Sequence, residues 1–147
     1  MTGFHIFETS LQKTNELFDQ IENELGWTGH RNQTYSAVRT ILHALRDRLT
    51  VEQSAHLAAE LPILLKGVFY DGWHPANLPI KMNREEFVAY VTRNFQFQVE
   101  GGHEELIRVI VKAIFRMIGL GEAEKVYHSL PKDIRQLIGR EEHILTT

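Results

Sequence analysis

Two pairs of side chains in this 147-residue chain have the types and spacing that bind a cation. His43 with Asp47, and His56 with Glu60, each stand four residues apart. On a helix, that spacing puts one imidazole nitrogen and one carboxylate oxygen on the same face. Neither pair is completed by a recognised metal motif. His103-Glu104 has Ile107 where a metalloprotease helix would place its second histidine. The full Glu and Glu-x-x-His set that a di-metal bundle draws from four facing helices is not present. These four residues are weak metal candidates, and their simpler role is local hydrogen bonding on solvated helix faces. Nucleophilic chemistry has less support. Ser36, Ser54 and Ser129 lie within helical patterns without a Gly-x-Ser-x-Gly elbow, there is no cysteine, and no glycine-rich phosphate loop occurs. No catalytic residue and no cofactor is expected.

Basic residues form the next pattern. Arg39, His43 and Arg46 recur on one face of a predicted helix, and Arg108, Lys112 and Arg116 occupy a related face further along the chain. Such a stripe is suited to phosphate groups or an acidic partner. Its simpler reading is a solvated face paired with acids such as Asp47 and Glu105. A third set, Phe69, Tyr70, Trp73 and His74, offers aromatic walls for a ligand groove. The same residues equally suit a plug that buries large rings and leaves their polar tips to hydrogen-bond.

The elements that must position these residues follow from a repeat. Shifting the stretch 35–69 by 69 residues lands it on 104–138 without a gap. Val38/Ile107, Ile41/Ile110, Leu45/Ile114, Leu57/Val126, Leu61/Leu130 and Leu65/Ile134 are apolar in both copies, and Pro62 falls on Pro131. Apolar residues at three-to-four spacing predict helices over about 10–25, 32–48, 51–60 and 62–69, with counterparts in the second half. Thr9-Ser10-Leu11-Gln12, Thr50-Val51-Glu52-Gln53 and Asn83-Arg84-Glu85-Glu86 read as helix-starting boxes. Pro62 and Pro131 predict corners, because proline disfavours helical angles in the residue before it and suits the first turn of a new helix. Phe4, Ile6 and Phe7 suggest an extended arm packing on the body, and residues 140–147 a frayed end.

The predicted architecture is all-α: two pseudo-symmetric copies of a four-helix unit, 10–70 and 79–139, joined by a crossover over 70–82 and packed into one helical domain spanning 1–147. One difference between the copies bears on assembly. Where the second helix has Thr40, Arg46 and Arg48, the sixth has Val109, Phe115 and Met117. The sixth helix is therefore either the central element of the monomer or part of a homodimer interface.

Composition bounds the rest. The chain is long enough to bury roughly two-thirds of the surface its unfolded form exposes. A formal net charge of -3 argues against nucleic-acid binding by the surface as a whole. The apolar-rich stretch 106–120 is interrupted by Arg108, Lys112 and Arg116, so neither a signal peptide nor a membrane span is expected. The lack of cysteine suits a cytoplasmic setting.

The phrases HALRDRL, LPILLKGVFYDGW and LGEAEKVYHSLPKDIRQL give the chain a resemblance to the domain-of-unknown-function family 2267, a set of prokaryotic proteins of about this length. That resemblance implies a small all-helical soluble protein and brings no assigned reaction or catalytic residue. The function expected from the residues is a non-enzymatic interaction or structural module with an unidentified protein partner. A binder of an anionic ligand or nucleic acid through the basic faces is the alternative, and a metal-dependent activity stands third.

Overall fold

The computed structural model describes residues 5–145, and among these the chain is all-helical, with no strand. In order, α1 spans His5–Leu25, α2 Arg31–Arg48, α3 Val51–Ala59 and α4 Ile63–Tyr70. A single 3-10 turn at Pro75–Asn77 interrupts the crossover. Then come α5 at Arg84–Asn94, α6 at Gly102–Ile118, α7 at Leu120–Ser129, α8 at Lys132–Ile138 and α9 at Glu141–Ile144.

The predicted start signals at Thr50 and Asn83 are formed. The Thr50 Oγ1 accepts from the Gln53 N–H at 3.1 Å while the Gln53 side chain accepts from the Thr50 N–H at 3.0 Å. Asn83 and Glu86 make the same reciprocal pair. Both prolines stand as N-cap residues at the expected corners, Pro62 before α4 and Pro131 before α8. Gly119 serves as the end of α6 and the cap of α7 at φ 93°, an angle that a residue with a Cβ rarely adopts.

Three local expectations are corrected. The box at Thr9 does not start α1, which runs through it from His5. No proline or glycine interrupts residues 5–9, and Ser10 has another use: its Oγ accepts from the Leu64 N–H at 2.9 Å, satisfying an orphan donor of α4 that Pro62 cannot cap. The extended arm is likewise helical where it is described, with Ile6 and Phe7 exposed, and Phe4 lies outside the described residues. The C-terminal segment is not frayed over Glu141–Ile144. Ile144 is buried there, so close to Gly139 that a Cβ on that glycine would approach its Cγ1 to 3.1 Å.

The core is one continuous cluster to which every helix contributes. At its centre is α6, which packs against α1, α2, α5, α7 and α8. Phe115, the apolar replacement for Arg46 in the repeat, is only 2% exposed. Phe115 is thus covered inside the chain, where α1 is the principal neighbour of α6, while Val109 and Met117 are half-buried. Around α6, α2 packs on α1, α4 and α5, while α3 meets α4 and α7. Helix α1 buries Thr14, Leu17, Phe18 and Ile21, whereas Leu11 on α1 and Tyr35 on α2 are exposed.

Candidate functional site

The face of α2 that carries the basic stripe is turned toward the end of α4. Helix α4 stops at Tyr70, so its last carbonyls lack partners within the helix and carry the negative end of its dipole. Arg46 and His43 supply donors. The buried Arg46 donates from Nη1 to the Phe69 and Asp71 carbonyls, both at 2.9 Å. His43 Nε2 lies 2.7 Å from the Val68 carbonyl, an acceptor that requires the proton on that nitrogen. One turn earlier, Arg39 pairs with the Asp71 carboxylate at 2.7 Å.

Asp47 supplies the counter-charge. Its carboxylate accepts from Arg46 Nε at 2.8 Å and from the Tyr90 hydroxyl of α5 at 3.1 Å. Its backbone carbonyl receives the Ile80 N–H at 2.7 Å, which ties the crossover to α2. Ser54 Oγ donates to the Arg46 carbonyl at 3.1 Å, docking α3 on the same corner. Arg46 and Asp47 therefore join α2, α3, α4, α5 and the crossover in one network.

Two groups of this network titrate away from their ordinary values. Burial lowers the His43 pKa below its usual 6.5; its hydrogen bond to Val68 opposes that, while the nearby Arg46 and Arg39 cations push it further down. Burial pushes the Tyr90 hydroxyl up to about 12, and the adjacent Asp47 carboxylate adds to the effect because a phenolate beside it would be repelled.

The second half of the stripe is also engaged. Arg108 pairs with Glu105 at 3.1 Å and donates to the Leu137 carbonyl at 3.3 Å. Arg39 and Val68 are the residues 69 positions before Arg108 and Leu137, so each half directs basic groups of its long helix at the end of its short fourth helix. Arg116 faces Glu24 at 3.7 Å, and Lys112 is half-buried. The stripe is one surface in the sequence pattern; in the fold its arginines are held by acids and helix-end carbonyls.

The cation candidates do not come together. His43 and Asp47 are occupied as described, and His56 lies 3.8 Å from Glu52 rather than toward Glu60. Among the described residues, no three histidine, aspartate or glutamate side chains converge in a way that could hold a metal. The one Glu-x-x-His in the sequence, Glu100 to His103, spans the start of α6 across Gly101 and Gly102, and His103 Nε2 meets the Phe95 carbonyl at 2.9 Å.

The aromatic set packs against itself. Phe69 is fully buried, and the Tyr70 ring lies 5.3 Å from it and 5.0 Å from Trp73. Tyr70 and Trp73 are half-buried and His74 is exposed, so these residues form a plug over the end of α4.

The reading of residue types missed two open clefts. One of about 490 Å3 lies between α3 and α7, lined by Gln53, His56, Glu122, Lys125 and their neighbours. Another of about 460 Å3 lies at the turn from α8 into α9, beside Tyr127, Lys132, Arg135 and Arg140. Asp71 and Tyr90 were missed as well. Asp71 was legible as the acid of the YDGW phrase, whereas nothing near Tyr90 in sequence points to Asp47. No described helix is long and apolar enough to cross a membrane.

No curated protein matches the chain. A family model described as "Uncharacterized conserved protein (DUF2267)" matches residues 14–137, far more than half of the length, and the chain belongs to that family.

Proposed function

We propose that this protein is a non-enzymatic interaction module of a prokaryotic cytosol, which recognises another protein through apolar side chains at the junction of α1 and α4. The observation that carries this reading is the contrast between its arginines and its leucines. The arginines of the basic stripe are committed to acids and helix-end carbonyls. Meanwhile Leu11 is 52% exposed, Leu64 46% and Ile63 39%. The bond from the Leu64 N–H to Ser10 brings the second turn of α1 to the start of α4, so these side chains surround one junction. Exposed apolar groups gathered in this way favour protein contact over phosphate contact.

The scaffold in this reading is two copies of a four-helix unit, 10–70 and 79–139, related by an approximate internal twofold. The packing pairs support it: α1 with α4 matches α5 with α8, α2 with α4 matches α6 with α8, and α1 with α6 matches α5 with α2.

The test is capture from an extract of the native host on immobilised full-length protein, with Leu64→Glu alongside. A protein retained by the wild type and lost by the variant is expected. The reading fails if both retain the same proteins, and equally if the wild type retains none and instead binds short nucleic acids with an affinity that falls steeply with salt.

A further inference from the structure

At the opposite end of the molecule from the α2 network in chain order, the last turns of α7 meet α8 and α9 around Tyr127. The buried Tyr127 hydroxyl donates to the Gly139 carbonyl at 2.8 Å and holds the turn. Over it opens the cleft of about 460 Å3, with Lys132 and Arg135 one turn apart on α8 and Arg140 just past Gly139.

The charges here differ from those on α2. Arg135 is half-buried, yet no ion pair or hydrogen bond of its guanidinium is formed with any described residue, and Lys132 is equally unengaged. Glu141 on the rim is held by His128 at 3.0 Å, and Arg140 lies 3.9 Å from Glu142. A guanidinium taken partly out of water without a direct ion pair or hydrogen bond is unfavourable, and an anion delivered to it relieves that cost.

The cluster is not a requirement of the helical unit. At the positions 69 residues earlier, Tyr127, Lys132, Arg135 and Arg140 correspond to Ala58, Ile63, Lys66 and Asp71. The first half makes the same turn with a cation, Lys66, at the Arg135 position but with Ala58, Ile63 and Asp71 at the others, so Tyr127, Lys132 and Arg140 are the second half's own and free to serve a ligand.

We propose that the cleft between α7, α8 and α9 binds one compact oxyanion group of a small molecule, a carboxylate or a phosphate, gripped by the Arg135 guanidinium with Lys132 and Arg140 at its flanks. The planar fork of Arg135 matches two oxygens of either group at once. Glu141 and Glu142 on the rim weaken the field further out, which limits the site to a single anionic group and disfavours a polyanion such as a nucleic-acid backbone. This goes beyond the protein-interaction reading and stands on different residues.

The experiment is a pair of amide and guanidinium NMR titrations of the full chain, one with inorganic phosphate and one with acetate, at constant ionic strength. Saturable shifts of the Arg135 Nε–H and Gly139 N–H are expected with at least one probe, and the probe that saturates names the ligand class. Arg135→Gln should weaken that binding by at least about tenfold, the usual loss for a charged hydrogen bond. Lys132→Gln, at an exposed position, gives a second variant should the first not fold. Linear shifts with both probes, or saturation that persists unchanged in a folded variant, overturn the proposal.

Discussion

The Tyr90 hydroxyl donates to the Asp47 carboxylate at 3.1 Å, joining α5 of the second half of the chain to α2 of the first. Tyr90→Phe keeps the ring and removes that bond. The expected cost is about 1.5 to 3 kcal/mol in urea unfolding, the range for a hydrogen bond to a charged group, toward the lower end because Tyr90 is only half-buried. A raised tyrosine pKa also sets a direction with pH. The folded state keeps its proton up to about 12 while the unfolded chain loses it near 10, so this contribution is present below pH 10 and is lost as pH rises between those values. The Tyr90→Phe variant should lack that part of the alkaline decline.

His43 predicts the opposite edge. Its folded pKa is below 6.5, so below about that pH the unfolded chain binds a proton that the folded state resists, and stability falls as the solution is acidified. In His43→Gln, whose amide can still donate to the Val68 carbonyl, the decline from neutral pH toward pH 5 should be shallower than in wild type. Melting temperatures at a series of pH values measure this.

Phe115 is buried in the last turn of α6, the helix that packs against elements of both halves. Phe115→Ala should cost about 3 to 5 kcal/mol, the range for emptying a buried aromatic site. Denaturant unfolding checks the value.

Most of the helical frame was legible from the sequence, because apolar spacing and caps act over three to five residues. The corners at Pro62 and Pro131 and the boxes at Thr50 and Asn83 are local devices of that kind. Ser10 shows where local reading stops: it lies inside a stretch that reads as a helix-starting box, yet its hydroxyl serves Leu64, 54 residues away in sequence. The partners of the basic stripe were legible only where they are local: Asp47 and Glu105 lie within three residues of Arg46 and Arg108, whereas the helix-end carbonyls do not. Arg39, His43 and Arg46 look like a solvent-facing stripe on an isolated helix, and only the docking of α4 turns their partners into the carbonyls of Val68, Phe69 and Asp71. The unengaged Arg135 lies on a helix of seven residues, too short for a charge pattern to register.

Urea unfolding of Arg46→Met tests most directly the claim that the conspicuous charges of this chain serve its architecture. Methionine keeps much of the length while removing every donor, which leaves Asp47 and two helix-end carbonyls without their partner. A loss of about 3 to 5 kcal/mol is expected, the usual consequence of breaking a buried ion pair from one side. A variant within about 0.5 kcal/mol of wild type, the range of an ordinary surface substitution, would contradict the account and return Arg46 to the pool of groups available for a ligand.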